Sequence, residues 1–292
     1  MELDRYLSFL TRRLPRIRGM ARVIKPLRGY YAKKYDSCAE RRIIINEYDH
    51  DISMELDRSS YMGGSIYWLG YHHWREMDYF RENLKPGMTF IDVGANQGEF
   101  TLFAAKYLRT GSVLSFEPEK TMFQALKKNI ELNSFDNIQY FNFGLGNKDG
   151  ILKLYTSSNV KPHGGIHEGL FTTYPDGSRN EYVQEISIKR LDDALSNTKT
   201  ARVDFIKIDV EGAELFVLQG AEETIRLFKP KLMLELNEET FRNAGYGTSD
   251  LIGFLEKHNY RIYKFLYGGK LKEIDLKANG ITSASFNILC QI

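Results

Sequence analysis

The chain has 292 residues, 42% of them hydrophobic and 27% charged, with a formal net charge of +2. That mixture is ordinary for a globular protein able to bury a sizeable core, and the total charge alone points neither toward nor away from an anionic partner. No stretch approaches the roughly 20 consecutive apolar residues that span a bilayer.

The charge is unevenly distributed. Residues 1–34 carry ten Lys/Arg (Arg5, Arg12, Arg13, Arg16, Arg18, Arg22, Lys25, Arg28, Lys33 and Lys34) against Glu2 and Asp4, a local +8. Residues 1–40 therefore read as a basic arm on a mildly acidic body. Positions 5–34 could lie against anionic lipid or nucleic acid, or the arm could be a plain solvated lead-in helix. Arg and Pro recur too often for a secretory signal. Cys38 and Cys290 lack metal-ligand spacing and suit a reducing compartment. The expectation is a cytoplasmic protein, with peripheral membrane contact through the arm as an option.

Residues 41–87 form a lead-in. Arg41 to Tyr48, rich in β-branched residues, predicts a strand. An aromatic-rich segment follows, with Tyr61, Tyr67, Trp68, Tyr71 and Trp74, and with Gly63, Gly64 and Gly70 as breakers. His72 and His73 suit packing there, or a lid. A helical pattern then closes at Pro86-Gly87.

From residue 88 to 292 the rhythm becomes regular. Strands are predicted over Met88–Val93, Val113–Phe116 and Ile138–Leu145, with helices over Glu99–Leu108 and Thr121–Leu132 between them. Residues 146–191 break the alternation with several Gly, Pro, Ser and His, predicting an inserted hairpin and a mobile loop. The alternation resumes with "VDFIKIDVEG" as a strand, Ala213–Phe228 as a helix, "KLMLELN" as a strand and Ser249–His258 as a helix. Strands near Arg261–Leu266 and Phe286–Ile292 end the chain. Short apolar runs alternating with amphipathic helices predict an α/β, doubly wound, mostly parallel sheet.

In such a sheet ligands bind outside the carboxyl ends of the strands. The first strand ends at Asp92-Val93, so the "GANQG" loop, Gly94 to Gly98, lies at that crevice, where glycines let backbone approach a ligand. The loop is neither GxGxxG nor GxxxxGK[ST]. Asn96 stands where a dinucleotide fingerprint needs its second glycine and would crowd a pyrophosphate, which disfavours a nicotinamide-dependent dehydrogenase. Glu117 ends the second strand about 25 residues beyond Asp92, where an acid can accept hydrogen bonds from both ribose hydroxyls. Two acids flanking a glycine loop describe a site for a nucleoside without phosphates, and S-adenosylmethionine has that shape. Each signal alone is weak, since Asp92 could cap a turn and Glu117 could be a surface acid.

The stretches "FIDVGANQGEFTLFAA", "VLSFEPEKTMFQALKKNIELN", "FGLGNKDG", "LDDAL" and "DFIKIDVEGAELFVLQGA" resemble the FkbM family of S-adenosylmethionine-dependent methyltransferases, from about Lys85 to Phe265. The resemblance implies a Rossmann-like class I methyltransferase with a seven-stranded sheet, an N-terminal extension and an inserted hairpin. It implies O-methylation of a sugar hydroxyl on a glycan or glycosylated metabolite. It places the cofactor against Asp92, Gly94, Ala95, Asn96, Gly98, Phe100, Thr101, Glu117, Pro118 and Asp209, with adenine walled by Asn142, Phe143 and Gly144. The basic arm is outside the family pattern.

A hydroxyl acceptor calls for a base. Alternation puts Lys207, Asp209 and Glu211 on one face if that strand stays extended. Asp209 is the first candidate for the reacting centre, Lys207 suits a structural ion pair, and Glu211 could balance positive charge or cap a helix. His163 and His167 of the insert are alternative bases. Asp209, Glu235 and Asn237 would make an oxygen set for Mg²⁺, while capping explains Asn237 equally well. Other acceptors remain open, namely a lipid, a peptide or nucleic acid recruited by the arm, though no "NPPY"-type tetrad points to nucleic acid. A non-catalytic binding relative is the last alternative.

Overall fold

The computed structural model of the chain describes residues 2–14, 20–36, 41–157, 171–196, 198, 200–279 and 285–292. It divides into two compact units. The first takes the chain up to Trp74 together with Lys128–Ser134, and the second takes most of the remainder.

In the first unit, helices α1 (Glu2–Arg13) and α2 (Met20–Asp36) precede the antiparallel pair β1 (Arg42–Tyr48) and β2 (Ile52–Asp57), then helix α3 (Tyr61–Leu69). The sequence predicts β1; β2 was not foreseen, because Ile52–Asp57 mixes acids with apolar residues. Its other edge is sealed by side chains rather than by a strand. Asn129 accepts from the Glu55 N–H at 2.8 Å, and Asn133 both accepts from the Ser53 N–H and donates to its carbonyl. Amide side chains thus satisfy ladder groups that an open edge would expose.

Gly63 and Gly64, expected to act as breakers, both lie inside α3. A Cβ on Gly63 would sit 2.3 Å from the Asp57 carbonyl oxygen, so glycine lets the helix start close against β2. Gly70, at φ 87°, does end α3, its N–H bonding Ile66 O. Tyr67, Trp68, Met54 and Leu56 fill the core of this unit. Burying such side chains contributes about 1.5–3 kcal/mol each.

Helix α1 is oriented unusually. Its polar side faces inward: Asp4 and Ser8 are buried, Asp4 pairs with the fully buried Arg58 at 2.8 Å and accepts from the Tyr35 hydroxyl. Thr11 donates to Trp68 O at 2.7 Å, and Arg12 donates to Tyr67 O and pairs with Glu47. Leu3, Tyr6, Phe9, Leu10 and Leu14 are left exposed.

The second unit is built on an eight-stranded sheet. In chain order its elements are α4 (Trp74–Asn83), β3 (Thr89–Val93), α5 (Glu99–Leu108), β4 (Ser112–Phe116), α6 (Lys120–Glu131), β5 (Ile138–Phe141), β6 (Gly144–Leu145), β7 (Gly150–Thr156), β8 (Glu181–Lys189), α7 (Leu191–Ser196), β9 (Phe205–Ile208), α8 (Glu214–Gly220), α9 (Glu222–Phe228), β10 (Lys231–Leu236), α10 (Glu238–Asn243), α11 (Thr248–Lys257), β11 (Arg261–Phe265), β12 (Leu271–Glu273), α12 (Leu276–Asn279) and β13 (Phe286–Gln291). The sheet runs β12-β11-β13-β10-β9-β3-β4-β5. Neighbours from β10 to β5 pair parallel, while β13 is antiparallel to both β10 and β11. The expected seven strands are present, and β12 adds an eighth by pairing antiparallel with β11.

Two expected elements split. The strand predicted over Ile138–Leu145 divides at Asn142-Phe143, and β6 joins β8 and β7 in a separate three-stranded sheet, the inserted hairpin. The helix predicted over Ala213–Phe228 breaks at Ala221. There a Cβ on Gly220 would lie 1.9 Å from Gly146 O, so close backbone contact overrides the helical period.

Alternation along the strands assigns the two faces. Ile91, Val93, Leu114, Phe116, Ile206, Ile208, Leu232 and Leu234 pack into one cluster with residues of α7, α8, α9 and α11. On the opposite face Phe90 and Phe205 meet Phe80 of α4. Asp92 and Lys207, each two residues further along, share that second face.

Candidate active site

After β3 the chain turns through Gly94 (φ 74°), Asn96 (φ 51°) and Gly98 (φ 98°), three left-handed residues at alternate positions. Glycine reaches that region freely, and Asn reaches it more readily than most side chains. The space beside two of them is already taken. A Cβ on Gly94 would lie 2.0 Å from Asp209 O, and one on Gly98 would lie 2.8 Å from Leu126 Cδ1. Besides the expected approach of backbone to a ligand, these glycines make room for the backbone just after β9 and for α6. The N–H groups of Gly94 and Ala95 both donate to Phe116 O, tying the loop to the tip of β4.

Beneath the loop a polar row crosses three strands. Ser115, Asp92 and Lys207 are aligned by the registers of β4, β3 and β9. Thr101 donates to Asp92 Oδ2 at 2.7 Å and stands 2.7 Å from the Ser115 hydroxyl. Lys207 Nζ donates to Gly94 O at 2.6 Å and Val93 O at 3.3 Å, and stands 3.2 Å from Asp92 Oδ1 and 3.8 Å from Asp209 Oδ2. Burial works against the lysine's charge, but Asp92, then Asp209 and Glu117, hold its ammonium above the ordinary lysine value. Lys207 is thus the structural ion-pair residue anticipated. Asp92, Phe100 and Thr101 are buried in this supporting layer, with the Phe100 ring 5.5 Å from the ammonium. They hold the strand tip from below.

Glu117 stands at the tip of β4. Its carboxylate accepts from the Asn96 N–H at 2.8 Å and the Glu119 N–H at 2.9 Å. Burial pushes it up to about 7, with those backbone donors and Lys207 opposing. Glu119, not foreseen as a site residue, accepts from the Met122 N–H and fixes the start of α6. At the rim, the Asn142 amide donates to Glu117 O and Pro118 O, and Gln184 also donates to Pro118 O. Phe143 packs on Phe116 and Phe141, and a Cβ on Gly144 would meet Ile188 Cδ1 at 2.8 Å. The trio expected to wall adenine therefore joins β4, β5 and the inserted sheet.

The carboxyl ends of β9 and β10 carry the acids. Asp209, Glu211 and Glu235 each offer an oxygen within 4.8 Å of the others. The expected extended alternation through Glu211 fails, because Glu211 is left-handed at φ 54°. It turns toward the segment returning from the insert: Arg179 Nη1 donates to its carboxylate at 2.8 Å, and Thr172 donates to its carbonyl at 3.0 Å. Burial, then Asp209, pushes the Glu211 carboxyl up to about 8 against the opposing charge of Arg179.

Glu214, three residues on, was missed. It accepts from the N–H groups of Val210 (3.1 Å) and Gly212 (3.0 Å), and burial, then Glu235, pushes it up to about 8. Its signal lay in the third acid of "IDVEGAE". Arg179 had no sequence signal, since it sits in the irregular insert. His163 and His167 lie outside the described residues, as does Cys38, while Cys290 is buried and reduced. His72 and His73 pack on each other and on Tyr61.

The Mg²⁺ set requires correction. Asn237 is the N-cap of α10, its side chain accepting from the N–H groups of Glu239 and Thr240. Glu235 accepts from the Ser285 hydroxyl, and Arg179 already balances Glu211. Of the expected set, Asp209 and Glu235 do come together, with Glu211 in the place expected of Asn237.

A sheet whose chain order reverses between β3 and β9, with a glycine loop lacking the phosphate-binding patterns and an acid at the neighbouring strand tip, defines a Rossmann-like fold of the class I methyltransferase type. The model of the methyltransferase FkbM domain matches residues 92–262, more than half of the chain, and the chain belongs to that family. It is similar to Methyltransferase 1 of Beauveria bassiana, 29% identical over 47% of this chain and 60% of that protein. It is also similar to the 31-O-demethyl-FK506 methyltransferase FkbM of Streptomyces tacrolimicus, at 26% identity over 48% of this chain and 62% of that protein. A third relative is the 2-O-methyltransferase NoeI of Sinorhizobium fredii, at 23% identity over 48% of this chain and 60% of that protein. The chain thus matches about three fifths of the length of each relative.

Proposed function

We propose that this chain is an O-methyltransferase using S-adenosylmethionine, with a sugar hydroxyl of a glycan or glycosylated metabolite as acceptor. The observation that carries the reading is the Glu117 carboxylate, fixed by two backbone N–H groups at the tip of β4 beside a loop that has no phosphate-binding pattern. An acceptor-only group there suits the two hydroxyl donors of a ribose. Two relatives named for O-methylation support oxygen as the acceptor atom.

When bound, the donor supplies an electrophilic methyl group on sulfonium. The chain's own residues do the rest. Glu117 orients the nucleoside, and the loop 94–98, held to Phe116 O and Lys207, positions the amino-acid end. Orientation of donor and acceptor can supply most of such a rate. Asp209, just past the tip of β9 and more exposed than Glu211, takes the acceptor proton. Glu211 and Arg179 pin the returning insert segment against the same tip, which supports the insert as one wall of the acceptor pocket. No step is routed through a metal.

The test is incubation with a methyl-labelled donor and a panel of oligosaccharides and glycosylated metabolites, with the label located by mass spectrometry. Label on a sugar oxygen is expected. Thermal shifts checked against S-adenosylhomocysteine and NAD should show stabilisation by the former only; a response to NAD alone would overturn the cofactor.

A further inference from the structure

We propose that the outward face of α1 is a docking surface for an anionic lipid bilayer. The helix is inverted. Amphipathic helices of water-soluble domains turn their apolar stripe inward, whereas α1 buries Asp4, Ser8 and Arg12 and presents Leu3, Tyr6, Leu10 and Leu14 outward. Leu3 and Tyr6 are each 62% exposed.

The inward contacts fix that orientation. Rolling the helix over to hide its leucines would break the Asp4–Arg58 pair and leave the fully buried Arg58 without that carboxylate, an outcome costlier than exposed leucines. The exposed apolar face is therefore built in, and none of the described residues of this unit hides Leu3 or Tyr6.

Charge selects the occupant. Residues 1–34 carry a local +8 in sequence; within α1, Arg12 is turned inward onto Glu47, whereas Arg5 and Arg13 are exposed, Arg13 over the ring of Phe9. Apolar side chains flanked by arginines match an interfacial helix, whose apolar groups enter the acyl boundary while its cations meet anionic headgroups. A second copy would bring the same positive charge against itself. Among the described residues no helix is long and apolar enough to cross a membrane, so α1 would lie on the surface.

Flotation of the full chain with vesicles of phosphatidylcholine, alone or with about 30% phosphatidylglycerol, tests this. Binding is expected to the anionic vesicles and not to the neutral ones. Leu3→Glu with Leu10→Glu should weaken it by at least about tenfold, as should Arg5→Glu with Arg13→Glu, while an unchanged circular dichroism spectrum and urea midpoint show that both variants fold. Because binding is read without methyl donor, the result is independent of the proposed reaction. Failure to float with either vesicle, equal flotation with both, or wild-type binding by the Leu3/Leu10 variant would overturn the proposal. So would a self-association in ultracentrifugation that the same variant abolishes, which assigns the face to a second copy.

Discussion

Asp92 and Lys207 are direct cross-strand partners on β3 and β9, both buried, with 3.2 Å between carboxylate and ammonium. Removing one member of such a pair strands the other charge, so Lys207→Met should cost about 3–5 kcal/mol of folding stability. Pairing it with Asp92→Asn should cost less than the sum of the single changes. Urea titrations of the three variants measure both, and strict additivity would show that the two groups do not interact.

Glu117→Ala should weaken S-adenosylhomocysteine binding by about 1–3 kcal/mol, because two ribose hydroxyls lose their acceptor. Burial pushes Glu117 up to about 7, and the ionised form is the better acceptor. Affinity should therefore rise with pH through neutrality in the wild type and stay flat in Glu117→Gln. Calorimetric titrations at several pH values read both effects; a pH-independent wild type would detach the carboxylate from the ligand.

Asp209→Asn should lower turnover by about 10² to 10⁴ while leaving the donor-product Kd within about threefold. Single-turnover rates alongside equilibrium binding separate the two quantities. A variant as fast as the wild type moves the base elsewhere.

Glu214 links stability to pH. Its folded-state value, pushed up to about 8, exceeds its ordinary 4.5, so between those values the folded chain holds a proton that the unfolded chain has released. That stabilisation is fully present below the ordinary value and is lost as pH rises through about 8. Glu117 and Glu211 act in the same direction. Unfolding free energy should fall from mildly acidic to mildly basic pH, and Glu214→Gln should flatten the decline. Denaturant midpoints that climb across this window would contradict the assignment.

The parallel strands were legible because "TFIDV", "SVLSF" and "FIKI" are apolar runs buried on both faces. Glu117 and the loop 94–98 were legible as a site because the acid and the glycines fall at strand tips. The reasons for the glycines were not, since the clash of a Gly94 Cβ with Asp209 O joins residues more than a hundred positions apart. A separation of 32 residues hid Arg179, whose partner Glu211 lies beyond the insert. Glu211 also defeated the alternation rule, because β9 ends at Ile208 and the backbone at Glu211 is left-handed. Strand β2 went unseen because its acids make contacts specific to this fold: Asp57 with Arg41, and Glu55 with Lys128.

The unlike faces of the central sheet imply unequal room for sequence drift. On the side lined by Ile91, Ile206 and Leu234, one aliphatic residue can replace another of similar volume at modest expense. On the side crossed by Ser115, Asp92 and Lys207, each member fixes its neighbours, so change there requires compensating substitutions on two or three strands together.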